Sequence, residues 1–269
     1  MHTTPQLLAG KTMAITGGVT GIGRAIVLGY LAHGANVAVN HLDDSASSEH
    51  AGTLYQEALA LLGPIGHLSD RFCVVPGDVG EPETGKKLVA AAVKQWGRLD
   101  VFISNAGICE FKEFLEITPD LWNKTLTTNL TGAFHTIHAA TTQMSRQTPP
   151  GGSIIGMSSI SALVGGAQQA HYTPTKAGVL SLIQSSACAL GKYGIRCNAL
   201  LPGTIKTQLN EKDLADEAKR KYMEGRIPLG RTGVPGDLVG PAVFLGSDLS
   251  AYVTGAQLLV DGGLFVNLQ

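Results

Sequence analysis

The stretch that decides the fold reads KTMAITGGVTGIGRAI and covers residues 11–26. Its apolar start leads into glycines at positions 17, 21 and 23, and a segment with helical period follows at once. A strand, a glycine turn and a helix in this order let the backbone approach a pyrophosphate at the positive end of the helix. The alternative is a tight strand-to-helix turn without a ligand. We expect this stretch to bind a dinucleotide through Gly17, Thr20, Gly21, Ile22 and Gly23.

The rest of the chain alternates short apolar runs with longer helical segments, which is typical of a parallel sheet covered by helices. The predicted strands are 11–16, 36–40, 71–76, 100–104, 152–158, 195–201 and 257–260. The predicted helices are 21–33, 47–62, 81–96, 119–147, 171–192 and 235–246. Since no linker or repeat separates two halves, we expect one α/β domain over residues 1–269. It should be Rossmann-like and doubly wound, with a seven-stranded parallel sheet and helices on both faces.

The composition excludes several classes of function. The chain has 269 residues and a formal net charge of -1, which gives no long-range attraction for nucleic acid or anionic lipid. No basic N-terminal cluster precedes an apolar run, and no apolar run approaches the roughly 18 residues that span a bilayer. We therefore expect a soluble cytoplasmic protein with no nucleic-acid partner and no membrane partner.

Cysteine and histidine positions indicate neither a metal site nor a disulfide framework. Free cysteines are usually buried, and the four cysteines here lack CxxC spacing: Cys73, Cys109, Cys188 and Cys197. His135 and His138 lie three residues apart on a predicted helix without a third candidate ligand, so we interpret them as structural. We expect buried thiols and no metal.

Residues 204–233 interrupt the alternation, because the segment is rich in charge and has no strand signal. The segment follows the sixth predicted strand and so should lie above the carboxyl edge of the sheet, where ligands bind in open α/β folds. Two interpretations remain open: a mobile lid over the substrate, or a solvated helical excursion.

Tyr172 and Lys176 are four residues apart in a predicted helix, so they should lie on one face of it. A phenol has an ordinary pKa of about 10 and is a weak base near neutrality. A neighbouring ammonium, together with the positive charge of an oxidised cofactor, favours the phenolate, so we expect Lys176 and the cofactor to lower the pKa of Tyr172. The pattern also occurs by chance in helices, but this pair is our candidate for acid-base chemistry.

The spacing TGxxxGxG at residues 16–23 resembles the short-chain dehydrogenase/reductase family, and the resemblance extends over nearly the whole chain. Further motifs follow in the family's order. The resemblance implies hydride transfer with NAD or NADP. Beyond the glycine turn, the residues that it implies for cofactor contact are Asp78 and Val79 at the adenine, Asn105, Ala106 and Gly107 beside the cofactor, Pro202, Gly203, Ile205 and Thr207 at the nicotinamide, and Tyr172 and Lys176.

The same resemblance implies a catalytic tetrad of Asn129, Ser159, Tyr172 and Lys176. Ser159 precedes Tyr172 by thirteen residues, the interval at which the family places the serine that binds the substrate oxygen. Ser158 should face away, because alternate strand residues point to opposite sides. Two alternatives stay open, namely Ser159 as a helix cap and Asn129 as a buried amide. We interpret His171 as a residue of the pocket rim or of the packing.

The choice between NAD and NADP is normally made just after the second strand, where an acid binds the ribose or a base binds the 2′-phosphate. His41 occupies the family's acidic position, and Thr20 stands where NADP-preferring relatives often carry a base. Asp43 and Asp44 follow, and we expect them to cap the next helix rather than bind a ribose. Since neither cofactor is strongly favoured, we expect the use of both.

Longer stretches at 158–167, 171–178, 189–198 and 259–269 resemble the members of the family that oxidise L-rhamnose at its anomeric carbon. This implies a small sugar substrate, L-rhamnose or a related aldose, which is converted to the 1,4-lactone. Ser161 and Gln168 could bind sugar hydroxyls, while Phe111 could cover an apolar ring face or merely pack within its loop. The alternatives are a carbonyl or 3-oxoacyl-thioester reductase and a non-catalytic regulator that binds NAD(H).

The resemblance also implies a homotetramer, in which the helices predicted at 119–147 and 171–192 pair across one twofold axis. The apolar terminal segment 262–269 is unusual for a free chain end. We expect this segment to pack into a neighbouring subunit.

Overall fold

A parallel sheet forms the centre of the computed structural model, which describes residues 6–63 and 68–267. The seven strands lie in the order β3-β2-β1-β4-β5-β6-β7, and every neighbouring pair is parallel. Their bounds are β1 Thr12–Ile15, β2 Asn36–His41, β3 Phe72–Pro76, β4 Val101–Ser104, β5 Gly152–Met157, β6 Ile195–Pro202 and β7 Gln257–Val260. The strand order reverses between β1 and β4, which is the point where open α/β sheets bind ligands.

Helices connect the strands, as right-handed parallel connections require. Their bounds are α1 Gly21–Ala32, α2 Ser45–Leu62, α3 Pro82–Trp96, α4 Pro119–Leu126, α5 Gly132–Arg146, α6 Thr173–Leu190, α7 Glu211–Ala215, α8 Glu217–Arg226 and α9 Val239–Gly246. Short 3₁₀ turns lie at Phe114–Glu116, Ile160–Ala162, Gly191–Tyr193, Pro235–Leu238 and Asp248–Ser250. The predicted α/β alternation is therefore confirmed.

Alternate residues of each strand enter two separate cores, one on each face of the sheet. Met13 and Ile15 of β1 pack in the core that α1, α2 and α9 cover, whereas Ala14 packs in the core beneath α3, α5 and α6. This division follows from the twofold period of a strand, which turns successive side chains to opposite faces. The prediction of helices on both faces is confirmed, and the strand ends are left free to form a site.

One predicted element is wrong in form. The helix expected over 119–147 is interrupted at Thr127–Thr131 by a π turn, and two helices, α4 and α5, flank it. The side chain of Asn129 bonds both backbone polar groups of Ile108, which lies outside the helix. Single π turns within α-helices occur frequently at functional sites.

The segment 204–233 contains α7, α8 and an isolated parallel bridge between Ile205 and Gly233. Lys206 N–H donates to the Gly233 carbonyl (2.9 Å), and Gly233 N–H donates to the Thr204 carbonyl (2.9 Å). The two ends of the segment therefore lie side by side and are bonded to each other.

Within 6–63 and 68–267, none of the helices has the length and apolar character that crossing a membrane would require. The same ranges hold no cluster of three or more His, Cys, Asp or Glu side chains with metal-binding geometry.

Candidate active site

A cleft of about 1150 Å³ lies at the carboxyl ends of the strands. Its wall contains residues of the glycine turn, of the ends of β2, β4, β5 and β6, of the segment 204–233 and of the C-terminal turn. The predicted site residues that line it are Gly17, Thr20, Gly21, Ile22, Gly23, His41, Asp78, Val79, Asn105, Ala106, Gly107, Phe111, Ser159, Ser161, Gln168, Tyr172, Lys176, Pro202, Gly203, Ile205 and Thr207. Asn129 is the one predicted site residue that lies behind this wall.

The glycine turn has the shape that a pyrophosphate needs. Gly17 has a φ of 60°, and a Cβ atom on Gly23 would lie 2.3 Å from the Gly17 carbonyl oxygen. Thr20 precedes α1 but its side chain caps no N–H group of the helix. The first N–H groups of α1 therefore point toward the cleft with the positive end of the helix dipole. These observations fit a dinucleotide phosphate, because larger side chains are excluded and anion donors are present.

Thr16, which sequence reasoning missed, joins the glycine turn to the end of β4. Its hydroxyl accepts hydrogen bonds from Asn105 N–H and Ala106 N–H, both at 3.0 Å. The Asn105 amide donates to the carbonyls of Thr16 (3.0 Å) and Gly17 (2.9 Å). The signal was present in the sequence, since a threonine directly before a glycine turn supplies a hydroxyl where two backbone segments meet.

At the end of β2, the wall of the cleft includes His41 and Leu42, with Ser47 of α2 beside them. His41 is buried, and its Nδ1 lies 2.7 Å from the Leu42 carbonyl oxygen. Asp44 caps α2 by accepting a hydrogen bond from Ser47 N–H (2.7 Å), and this bond lowers the pKa of the Asp44 carboxyl. The predicted cap is confirmed for Asp44. This part of the wall therefore presents neither a ribose-binding acid nor a phosphate-binding lysine or arginine.

Asp78 and Val79 lie in the turn after β3. The Asp78 carboxylate accepts a hydrogen bond from Gly80 N–H (2.8 Å), and Val79 is buried against Gly132 at the start of α5. A Cβ atom on Gly132 would lie 2.9 Å from a methyl of Val79. The close approach of this turn to α5 holds both residues in the wall where an adenine is expected.

Lys176 reaches back from α6 toward the end of β5. Its ammonium donates to the Met157 carbonyl (3.0 Å) and lies 5.5 Å from the centre of the Tyr172 ring. The side chain is 5% exposed, and burial lowers the pKa of Lys176 to about 8. A lysine with such a pKa exchanges its proton near neutral pH, which an exposed lysine does not do.

Ser159 and Tyr172 meet over the same part of the cleft. Burial raises the pKa of Tyr172, and Ser159 lies close enough to the Tyr172 hydroxyl to lower it in part. The Ser159 oxygen accepts from Ser161 N–H (3.1 Å). Ser159 therefore caps a 3₁₀ turn and faces Tyr172 at once, so the two interpretations of this residue are compatible. Ser158 faces away, as predicted, and donates to the Lys176 carbonyl (2.8 Å).

The expected lowering of the Tyr172 pKa is wrong for the protein's own groups. Burial raises this pKa, the nearby Cys109 thiol raises it further, and only the hydrogen bond with Ser159 lowers it. The physical reason is desolvation, which penalises the phenolate more than one hydrogen bond stabilises it. Lys176 does not offset this penalty, because burial weakens its own hold on a proton.

Asn129 lies in the π turn behind the catalytic side chains. Its amide accepts from Ile108 N–H (2.8 Å) and donates to the Ile108 carbonyl (2.9 Å) and to the Thr175 hydroxyl (3.2 Å). A Cβ atom on Gly107 would lie 3.3 Å from the Lys176 ammonium and 3.4 Å from the Asn129 amide oxygen. Asn129 is thus a satisfied buried amide that stands close to Lys176, with only the glycine edge between them.

The three predicted substrate residues all line the outer part of the cleft. Phe111 is 38% exposed and lies beneath the ammonium of Lys219, 5.7 Å from ring centre to nitrogen. Gln168 donates its amide hydrogen to a Glu113 carboxylate oxygen (2.6 Å), which occupies one of its donors. Phe111 therefore links its own loop to α8, a contact that the sequence did not indicate.

Sequence reasoning missed the side chains that the segment 204–233 and the C-terminus bring to the cleft. These include Asp213, Lys219, Met223, Arg226, Leu264, Phe265 and Asn267. It also missed Cys109, which lines the cleft and accepts a hydrogen bond from Gln169 (3.5 Å). No motif marks these residues, because they approach the catalytic side chains only through tertiary folding.

One minor interpretation needs correction, and one that was left open is decided. Cys188 is exposed on α6, where a buried thiol was expected. His171 is fully buried and is not part of the cleft wall, so it packs in the interior rather than at a rim. Among the described residues, neither ring nitrogen of His171 has a hydrogen-bond partner.

The C-terminal turn folds onto its own chain. The Asp261 carboxylate accepts from Gly263 N–H (2.9 Å) and Phe265 N–H (2.7 Å), and Leu229 N–H donates to the Gly262 carbonyl (3.2 Å). The predicted segment 262–269 thus contacts the residues that follow α8 in the same subunit, and its last two residues lie outside the described range. Its packing into a neighbour stays a prediction.

Comparisons with known proteins agree over nearly the whole chain. A protein-family model described as enoyl-(acyl carrier protein) reductase matches residues 17–265. A Scheffersomyces stipitis protein named L-rhamnose-1-dehydrogenase is 62% identical over 263 residues, which cover 98% of this chain and 99% of that protein. A Sphingomonas protein named L-rhamnose 1-dehydrogenase (NAD(P)(+)) is 55% identical over 266 residues, with coverage of 98% and 100%. A solved short-chain type dehydrogenase/reductase from Mycobacterium marinum is 32% identical, with a TM-score of 0.86 and coverage of 96% and 97%.

Proposed function

The chain belongs to the short-chain dehydrogenase/reductase family, and on that premise we propose that it oxidises the anomeric hydroxyl of L-rhamnose with NAD or NADP. The sugar would give up a hydride and a proton, the proton to the protein, and the product would be the 1,4-lactone. The observation that carries this proposal is the meeting of Ser159, Tyr172 and Lys176 in one cleft beside the glycine turn. The identity of the sugar is taken from the names of the two relatives.

The cofactor would lie across the carboxyl edge of the sheet. Its pyrophosphate would be held by the glycine turn and by the N–H groups of α1, its adenine by Asp78 and Val79, and its ribose near His41. Asn105, Ala106 and Gly107 would lie beside it. The nicotinamide end would be held by Pro202, Gly203, Ile205, Thr207 and Lys176. When bound, the nicotinamide accepts the hydride.

The chain's own side chains handle the proton. Ser159 and Tyr172 would both hydrogen-bond the reacting oxygen, and Tyr172 would accept its proton as a general base. Lys176, with a pKa lowered to about 8, can pass a proton onward from this buried position. Asn129 would act as the positioning residue behind Lys176, since its fully bonded amide fixes the π turn. Neither a metal nor a covalent nucleophile is part of this proposal.

Use of both cofactors is supported by the neutral wall at the end of β2 and by the name of the Sphingomonas relative. Within the part of the chain that the structure describes, the cleft wall at His41 and Leu42 contains no acidic side chain and no lysine or arginine, and the carboxylate of the nearby Asp44 is engaged in its cap. The test is to add L-rhamnose to the purified protein with NAD and, in parallel, with NADP, and to follow the absorbance of the reduced nicotinamide. No signal with either cofactor would overturn the proposed substrate.

A second candidate is reduction of a 3-oxoacyl thioester, because a Staphylococcus aureus relative that is 36% identical over 256 residues is named 3-oxoacyl-[acyl-carrier-protein] reductase. The two relatives above are named as sugar dehydrogenases, and this favours the sugar. Incubation with acetoacetyl thioesters and each reduced cofactor separates the candidates. A non-catalytic regulator would bind NAD(H) and turn over neither substrate.

The remaining parts of the proposal concern assembly and location. We propose a homotetramer in the cytoplasm, built from one domain per chain with 204–233 as a substrate lid. Half-exposed Trp122 of α4 and Phe134 of α5 support an interface, and β7 is an edge strand. Light scattering of the purified protein should give about four times the chain mass of 28.0 kDa, and a monomer would contradict the assembly. Free cysteines and dependence on NAD(P) support the location.

A further inference from the structure

We propose that the ion pair of Asp213 and Lys219 binds ring hydroxyls of the substrate and so sets the preference for polyhydroxy substrates over apolar ones. This inference rests on the proposed function and adds the residues that recognise the sugar away from its reacting carbon. Asp213 lies in α7 and Lys219 in α8, and the two side chains form a salt bridge across the break between these short helices.

The ion pair faces the cleft, on the side opposite the sheet. Asp213 and Lys219 both line it, together with Cys109, Phe111 and Tyr172. The Lys219 ammonium lies 5.7 Å from the centre of the Phe111 ring, which fixes it above the loop that follows β4. Burial raises the pKa of the Cys109 thiol and of the Tyr172 phenol; the Asp213 carboxylate is near enough to Cys109 to raise the thiol pKa further, and Cys109 adds to the rise at Tyr172. The pair thus lies within the reach of a small molecule held at Tyr172.

The partial burial of this ion pair is better explained by binding of a ligand than by a contribution to the stability of the fold. The side chain of Asp213 is only 20% exposed and that of Lys219 is 43% exposed. A half-buried ion pair gains little net stability, because the loss of hydration offsets most of the attraction. The other ion pair of the lid, Glu217 with Lys221, faces solvent, with side chains that are 66% and 71% exposed. If the lid needed an ion pair only at its surface, the exposed pair of Glu217 and Lys221 would be sufficient.

Sugar chemistry suits such a pair. A hydroxyl donates one hydrogen bond and accepts others, so it can donate to the Asp213 carboxylate while accepting from the Lys219 ammonium. The part of the Phe111 ring that Lys219 leaves uncovered offers an apolar surface to the ring carbons or to a methyl substituent, since Phe111 is 38% exposed. An acyl chain in the same place would remove water from both charges and return no hydrogen bond. Sites built to bind a hydroxyl reject analogues that lack it.

The experiment compares the variants Asp213→Asn and Lys219→Met with matched controls Glu217→Gln and Lys221→Met from the exposed pair of the same lid. Each protein is assayed with L-rhamnose and with analogues that lack one ring hydroxyl, at saturating cofactor. We expect both test variants to lose about 10- to 100-fold in kcat/KM for L-rhamnose, mainly through KM. For one deoxy analogue the loss should be much smaller, because the hydroxyl that uses the pair is absent. The controls should match the wild type throughout.

Three results decide between the possibilities. If the test variants lose the same factor on L-rhamnose and on every deoxy analogue, the pair only shapes the lid and the inference is wrong. If the test variants keep the wild-type kcat/KM for L-rhamnose, the inference is also wrong. If the wild-type protein oxidises no sugar at all, the proposed function fails first and this inference falls with it. Binding of the reduced cofactor, followed by its fluorescence, should not change in any variant, and this shows that each one is folded.

Discussion

Tyr172 and Lys176 share a buried site in which the two pKa values move in opposite directions. Burial raises the pKa of the Tyr172 phenol and lowers that of the Lys176 ammonium to about 8. Both shifts favour the uncharged form, as expected for groups taken out of water. The site thus keeps the proton on the phenol until a substrate or a cofactor changes the local charge.

The lowered pKa of Lys176 makes stability depend on pH. An unfolded lysine holds its proton up to about pH 10.5, whereas folded Lys176 releases it near pH 8. Between these values the unfolded chain binds more protons, so stability rises with pH. Relative to Lys176→Met, we expect the wild-type free energy of unfolding to gain about 2 kcal/mol between pH 7 and about pH 9.5. Urea unfolding at both pH values measures it.

The exposed lysine of the lid supplies the control for this measurement. Lys221→Met removes an ammonium whose side chain is 71% exposed. The difference in the free energy of unfolding between this variant and the wild type should therefore stay constant over the same pH range. An equal pH dependence in the two variants would show that Lys176 holds its proton like a surface lysine.

Loss of the Tyr172 hydroxyl should remove the chemistry and keep the binding. In Tyr172→Phe the ring still fills its place, but no group accepts the substrate proton. We expect kcat to fall by about 10² to 10⁴, the range for general acid-base catalysis, while cofactor affinity changes little. Stopped assays with L-rhamnose and fluorescence titration of the reduced cofactor measure the two quantities. Tyr193→Phe, on a surface 3₁₀ turn, should behave as the wild type, and turnover in Tyr172→Phe at the wild-type rate would exclude the assigned base.

At this scale the sequence predicted some residues and not others for a physical reason. Tyr172 and Lys176 share a helix face, so their spacing alone brings them together. Asp213 and Lys219 have no such local rule, and they reach the cleft only because the segment 204–233 folds beside it. The direction of the Tyr172 pKa shift depended on burial, which no local pattern reports.

The glycine turn offers a sharp test at the scale of an element. In Gly23→Ala the new Cβ would lie 2.3 Å from the Gly17 carbonyl oxygen, so the turn must open. We expect cofactor affinity to fall by about 100-fold or more, since the N–H groups of α1 would no longer converge on one phosphate. Isothermal titration with NADH measures the affinity.

Gly52→Ala is the matched helix control. Gly52 lies on the exposed side of α2, and a Cβ there meets no atom within 4 Å. Alanine should stabilise this helix by about 1 kcal/mol and leave cofactor affinity unchanged. If Gly23→Ala also bound the cofactor normally, the close approach to Gly17 would not matter for binding.

The π turn at Thr127–Thr131 shows which part of an element stays hidden from sequence patterns. Apolar residues continue with helical period through 119–147, and the pattern therefore predicts one helix. The turn widens where Asn129 bonds the backbone of Ile108, a partner that belongs to the loop after β4. A contact between separate elements decided this local shape.

For the whole molecule, the C-terminal turn connects the chain end to the lid. The two hydrogen bonds accepted by Asp261 hold the turn, and Leu264 and Phe265 then line the cleft. In Asp261→Ala we expect the KM for the sugar to rise about tenfold, which corresponds to 1.4 kcal/mol of lost binding. Limited proteolysis should also cut the lid faster. Asp248→Ala, which removes a surface salt bridge with Lys11, should change neither quantity. Unchanged KM in Asp261→Ala would show that the turn is only an end of the chain.

The sheet was predictable from sequence because each parallel strand needs its own buried apolar run and its own crossover helix. The path of the C-terminal turn could not be predicted from the sequence. An apolar terminus such as Leu264 is equally satisfied by a neighbouring subunit or by its own lid, and only the fold shows that Asp261 turns it inward.

The bridge between Ile205 and Gly233 has an evolutionary consequence. Because this bridge bonds the two ends of the segment 204–233 to each other, the residues between them can change in length or composition while the strands keep their register. Closure entropy grows only slowly with the size of a loop, so such exchanges carry a small penalty. New substrate ranges can therefore arise by replacement of this segment, while the residues that carry out hydride transfer stay unchanged.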